Sequence, residues 1–468
     1  MDNLLGEYKE LESQSIFFAS PESLNDPMEG FRDIFWQGDI ILWKDLFRHY
    51  ILCLESCVRE VLNNCDEVHT AIDDISMFKK YEHYTSQENQ LLLTIINNDF
   101  FSRTSIINLL ENISTRDFAI RRDELLLYLS SVNEIALHCI FSNNAAFGSK
   151  EADKMFPNPE HRLESLNNEI LNLDFNQLTS STMYSSDFIK TLQFYNYTKM
   201  QMGLLSYHNY SSKVNGRKID FLNFDFPSKY ISHIERLIFP EWYVACFMSS
   251  GNNSSVWGNY GDNHQGVCMI FEADSDCRLN LYSGIKTIQT DSLCSNKEAK
   301  ESLVFEQVNY TGEYNDVDFF KNIVVLSAKG LNSTWHIDPE NQSVSSCAEE
   351  IDKQPSEWIK DYWEQFKHGL LLKTKDWYYE KEFRLILIND KVNYSNETDR
   401  ALKYDFNSLQ GIIFGIRTTL KHKIKIIDII KRKCLENNRD SFEFYQAYYS
   451  DKEKEILHYP LTFLNFAL

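Results

Sequence analysis

The spacing of apolar residues changes period along the chain. Ile16-Phe17-Phe18-Ala19 is a compact apolar run closed by Ser20-Pro21, which predicts a short strand. Leu24-Asn25-Asp26-Pro27-Met28-Glu29-Gly30 follows, a turn rich in side chains that bond their own backbone. From Asp39 the pattern becomes helical, with Ile40, Ile41, Leu42, Leu46, Tyr50, Leu54 and Val58 on one face. Further helical runs cover 89–110, 117–141 and 187–207. The loop between the last two carries Phe156-Pro157-Asn158-Pro159 and a Ser/Thr run over 178–186. Strand patterns return at Trp242–Met248 and at 266–272, 303–310, 383–388, 411–414 and 442–448. Helices are predicted at 316–328, 356–370 and 419–433. The expected fold is α+β, a central mixed or antiparallel sheet with a large α-helical insertion. Residues 1–38 supply the first strand and turn of the core, 39–235 the insertion, and 236–468 the main core. The helical block suits a lid, a partner-binding face, a dimer interface or a plain scaffold.

Trp377-Tyr378-Tyr379-Glu380-Lys381-Glu382-Phe383-Arg384-Leu385-Ile386-Leu387-Ile388 reads as a strand whose first half is charged. Alternation puts Glu380, Glu382 and Arg384 on one face and Phe383, Leu385 and Leu387 on the other. Two carboxylates and a guanidinium on a core strand cost desolvation energy unless something pairs them, either each other or a ligand.

Composition narrows the classes. The chain has 468 residues, 43% of them apolar, enough for a large core and too apolar for disorder. Forty-seven basic against 68 acidic residues give a net charge of −21. Such a surface repels nucleic-acid backbones and anionic membranes over most of its area, so no membrane partner is expected and nucleic acid is disfavoured, though a local basic groove leaves it open. The ten cysteines form no CxxC pair and no zinc-finger spacing, so no metal site is expected. Cys53 and Cys57, one turn apart, read as apolar positions on a helix face. With no signal-peptide pattern at Met1 and no long apolar span, the expected setting is a reducing cytoplasm with free thiols.

Two further segments carry polar groups at strand ends. Pro27 restricts Asp26 to extended conformations, and a rigid acid just after a strand suits either a ligand or a capped turn. Cys246-Phe247-Met248-Ser249-Ser250 ends a strand, and Val256-Trp257-Gly258-Asn259-Tyr260 then predicts a short helix running into His264 and Gly266. Rings and hydroxyls at a sheet's lip suit a nucleotide-sized ligand. His264 alone is as readily structural. No P-loop, GxGxxG, HExxH or GxSxG pattern is present, and His336 lies in polar sequence that predicts a solvated side chain.

Taken in order, these segments resemble the bacterial family of unknown function DUF2971. The matching positions are Phe17 to Pro27, Phe247 to Ser249, Trp257 with Tyr260, His264 with Gly266, Tyr379 to Arg384, and Ile413-Phe414-Gly415. The resemblance covers roughly the first 35 residues and then Trp242 onward, which leaves the helical block as an insertion. It departs at Met28-Glu29, where the family commonly has an aromatic residue and an aspartate.

The Glu-x-Glu strand is also similar to the catalytic strand of ADP-ribosyltransferases. That resemblance implies NAD or a related nucleotide as substrate. Glu382 would stabilise the cation that grows as nicotinamide leaves, and Glu380 would act on the acceptor. His264 and Ser249 would hold the ribose, Trp257 or Tyr260 would stack, and Arg384 would orient Glu382 or meet the pyrophosphate. Asp26 and Asn25 would complete the ligand contacts. A second class is a metal-dependent nuclease or phosphohydrolase using Asp26, Glu29, Glu380 and Glu382, although Lys381 points away from both glutamates. A third is a non-enzymatic sensor whose helical block binds a protein partner. Proteins of this kind suggest phage defence or growth arrest as a setting.

Overall fold

The computed structural model describes residues 1–63, 86–150, 152, 186–209, 220–286, 298–323, 335–389 and 392–462. The predicted loop features at 156–159 and most of 178–186 lie outside them. The chain divides into two compact units. One comprises Met1–Phe31, Pro240–Asn315 and Gln365–Leu468, the other Arg32–Phe239 and Asp316–Glu364. The architecture is α+β, and the strands among the described residues divide over four small sheets.

In the first unit, Glu382–Ile388 is the centre of a three-stranded antiparallel sheet between Trp242–Met248 and Glu306–Gln307. Leu385 and Leu387 enter the main core with Tyr243, Ala245, Leu402 and Phe414. The opposite face carries Glu382 and Arg384, in register with Met248 and Cys246. The Ser15–Phe17 strand joins a second sheet beside Ala401–Tyr404, and Ala19 bridges to Val244. That bridge brings the Asn25-Asp26 turn to the Trp242–Met248 strand. A third sheet contains parallel Leu409–Phe414 and Glu443–Tyr449, connected by the Leu420–Glu436 helix. That helix buries Ile426, Ile429, Ile430 and Cys434 against the main core.

The second unit is mostly helical. Ile40–Asn63 begins where the apolar periodicity begins. The run at 89–110 is two helices, Gln87–Phe101 and Thr104–Ser114, broken at Ser102 and Arg103. Arg122–Ala146 is long and apolar enough to cross a membrane, but two-thirds (67%) of that apolar stretch is buried inside the protein. Its outline is that of a core helix. The predicted helix at 316–328 is corrected over its described part. Asp316–Asp318 is instead a strand, pairing in parallel with Asp33–Trp36. His336, expected in solvent, is buried, and its Nε2 lies 3.2 Å from the Phe320 carbonyl. The flanking apolar residues Trp335 and Ile337 outweigh the polar sequence around them.

Candidate functional site

The charged strand begins later than its alternation suggests. Lys375–Glu380 is a 3-10 turn, Lys381 adopts left-handed φ (48°), and the strand starts at Glu382. Glu380 therefore does not share the strand face with Glu382 and Arg384. A residue outside the motif joins them instead. Lys373 Nζ donates to Glu380 Oε2 at 2.7 Å and to Glu382 Oε2 at 2.9 Å. Arg384 Nε donates to Glu382 Oε1 at 2.9 Å, and its Nη1 to the Leu370 carbonyl at 2.6 Å. Arg384 Nη2 pairs with Glu29, the acid at the departure in the first turn. All five side chains are almost fully buried.

The electrostatics follow from burial and contact. Burial alone would raise the Glu382 carboxyl, but Arg384 and Lys373 outweigh it and hold the group below the usual carboxylate range. Glu29 is pushed up, because its burial exceeds the help from Arg384. Burial would lower Lys373, yet Glu382 and Glu380 keep it firmly protonated. Cys246 was not in the sequence-based set. The residue is exposed and lies opposite Arg384 in the strand register. Burial and the charge of Glu382, to which it donates a hydrogen bond, hold the thiol protonated.

The predicted Tyr260, Asn25 and Asp26 flank the cluster, together with Tyr310 and Tyr314, which the sequence reading did not include. The Tyr260 ring is 45% exposed, and its hydroxyl donates to Glu380 Oε1 at 2.7 Å. Burial and that bond raise the phenol, and the Asn25 side chain reaches the same hydroxyl. Asp26 caps its turn by accepting from the Met28 amide at 2.9 Å, while its second oxygen is buried with no partner. The Tyr314 hydroxyl is likewise buried without a partner, close enough to feel the charges of Asp26 and Glu29. These orphan atoms are polar groups of the kind that ligands satisfy. The backbone amide of Glu382 donates to the Tyr310 hydroxyl at 2.8 Å.

Three expected residues sit apart from this network. Trp257 is on the predicted short helix, Ser254–Asn259, but its ring is buried and its Nε1 donates to the Gly251 carbonyl at 2.7 Å. That is a packing position with little ring face for stacking. His264 takes a left-handed φ of 69°, and its backbone holds the loop by accepting from the Arg417 amide at 2.9 Å. Its Nδ1 is buried and unpartnered. Ser249 is exposed just past the strand end. Among the described residues, neither side chain hydrogen-bonds to Glu380 or Glu382.

Lys373 was the main omission. Its signal was a lone lysine closing the apolar run Leu370-Leu371-Leu372, where a buried amine needs acidic partners. With both carboxylates of the Glu-x-Glu pair occupied by Lys373, Arg384 and Tyr260, a divalent cation would have to displace several hydrogen bonds. Among the described residues, no cluster has metal-binding geometry. No curated protein and no solved structure matches the chain. Over residues 256–385, a stretch that includes Tyr260, Lys373, Glu380, Glu382 and Arg384, the chain matches the family described as Protein of unknown function (DUF2971).

Proposed function

We propose that the first unit binds NAD or a related nucleotide and promotes cleavage of its nicotinamide–ribose bond. The supporting observation is the acid excess of the buried cluster. Three carboxyl groups (Glu29, Glu380 and Glu382) face two cations, Asp26 adds a buried carboxyl that acts on the same Tyr314 as Glu29, and Glu382 is kept ionised in a desolvated setting. Fixed negative charge favours a reacting group that becomes positive, because nothing must reorganise as charge develops.

In this reading the C–N bond breaks and its electron pair leaves with nicotinamide. Glu382, aimed by Arg384, stabilises the ribosyl cation. Water or a hydroxyl acceptor attacks, and its proton passes to Glu380, which is held by the hydrogen bond from Tyr260 at the rim. Lys373 holds the two carboxylates in place. Asn25 and Asp26 contact the ligand, with Asp26 offering its unpaired oxygen.

The complete pairing of Glu380 and Glu382 favours one further reading, a non-enzymatic ligand sensor. There the charges fix the site and the helical unit engages a protein partner. Both readings fit a cytoplasmic effector, of the defence or growth-arrest kind, with free thiols such as those of the eight described cysteines.

The test is NAD consumption by purified protein, wild type against Glu382→Gln, with and without cell extract, with circular dichroism as the folding control. Loss of NAD with the wild type alone supports the enzyme. No loss, with NAD binding that falls in the folded Glu382→Gln protein, supports the sensor. No loss and no NAD binding removes NAD from both readings.

A further inference from the structure

Negative charge is not evenly spread. Between Arg417 and Arg439 lie eight basic and two acidic residues, a local excess of +6 in a chain of −21. Most of this stretch is the Leu420–Glu436 helix. Its inner face is fixed by Ile426, Ile429, Ile430 and Cys434, with His422, Lys423, Ile427 and Lys433 half-buried beside them, and the remaining residues of the helix, Asp428 and Glu436 included, are exposed. Leu420 is 72% exposed, Ile424 50% and Leu435 53%, and Ile416 just before the helix is 40% exposed. The spacing of Leu420, Ile424, Lys431 and Leu435 places them along one stripe, which also holds the exposed Asp428.

Some cations here are already engaged. Lys425 donates to the Leu5 carbonyl and Arg432 pairs with Glu12. Arg417, Lys421 and Lys431 are exposed and, among the described residues, have no ion pair. Free cations interleaved with exposed aliphatic side chains are a specific combination. A phosphate backbone rewards the cations but gains nothing from leucine. A symmetric contact with a second copy would oppose two surfaces of the same sign. An anionic lipid surface uses both, since headgroups attract Lys and Arg while Leu and Ile enter the acyl boundary.

We propose that the outer face of the Leu420–Glu436 helix docks on anionic membrane surfaces through Arg417, Lys421 and Lys431, with Leu420 and Ile424 as shallow anchors. The acidic remainder of the chain keeps this contact peripheral and sensitive to salt.

The experiment is cosedimentation of the full chain with phosphatidylcholine vesicles containing about a third phosphatidylglycerol, against pure phosphatidylcholine. Binding is expected only with the anionic vesicles. Arg417→Glu with Lys421→Glu should reduce it by at least about tenfold, since each cation near such a surface contributes roughly fivefold. Leu420→Ser with Ile424→Ser should reduce it at unchanged charge. Lys452→Glu, on a side chain 92% exposed away from this stretch of sequence, should leave it unchanged. All substituted positions are exposed, so unchanged circular dichroism is expected. Absence of binding to anionic vesicles at low salt overturns the proposal. So does binding indifferent to the Leu420/Ile424 pair, or tighter retention of a single-stranded oligonucleotide by the same cations.

Discussion

Replacing Lys373 by methionine keeps the length of the side chain and removes its charge. In the wild type, Nζ lies between Glu380 and Glu382, at 2.7 and 2.9 Å, with the lysine side chain 6% exposed and the carboxylates 0% and 1%. Solvent therefore screens the interaction little. Removing one partner of a buried ion pair costs about 3–5 kcal/mol, because the other charge is left unpaired. Arg384 still serves Glu382, which places the expected loss near the lower end. For a unit of about 200 residues, roughly 3 kcal/mol is a fall in thermal midpoint of about 6–12 °C.

The pH dependence is the sharper signature. Without Lys373, two close carboxylates in a desolvated site cannot both stay ionised, so one takes up a proton at a raised pKa. A raised carboxyl pKa contributes stability at low pH that is lost as pH rises through it. The gap between wild type and Lys373→Met should therefore widen from about pH 5 to about pH 8. Adding Glu380→Gln should close much of it by removing the surplus charge. The assay is thermal or urea unfolding of all three proteins across that range. A Lys373→Met loss under about 1 kcal/mol that does not vary with pH would show a solvent-screened pair and refute the buried network.

Other predictions follow from the same physics. Burial lowers His49 to about 3, so its neutral form contributes stability that is complete above the ordinary histidine range and lost as pH falls toward 3. His49→Gln, which can still bond Tyr230, should flatten that acid limb in urea midpoints. Asp45 has the opposite sign. Burial pushes its carboxyl up to about 7, so its ionisation costs stability as pH rises toward neutral, and Asp45→Asn should narrow the decline. A Cβ at Gly415 would collide with the His264 carbonyl and lie 2.8 Å from that of Gly266. Gly415→Ala should then cost about 2–3 kcal/mol, measured by urea unfolding, because backbone cannot give way as a side chain can. Tyr260→Phe should cost no more than about 1.5 kcal/mol, since Tyr260 sits at a half-open rim, yet it should lower NAD turnover if Glu380 acts on the acceptor.

What the sequence revealed and what it hid divide along a physical line. Trp242–Met248 was legible because a β-rich apolar run bounded by polar residues has few alternatives. The charged face of Glu382 and Arg384 was legible because strand alternation is strict. Glu380 was placed on that face wrongly, since alternation was carried back through Lys381, whose left-handed backbone resets the phase. Its carboxylate still reaches the cluster because Lys373 bridges it to Glu382. That bridge depends on the strand at Glu382 folding back past the end of the Pro355–Leu370 helix, and no local pattern encodes such a contact. Glu29 shows the same limit from the other side. The sequence marked it as an acid standing where a shorter one is common. Only the Ala19–Val244 bridge, which carries the first turn to the strand beside Arg384, gives that carboxylate its partner. The acids marked a buried charged cluster, and the tertiary contacts determine which cations hold them.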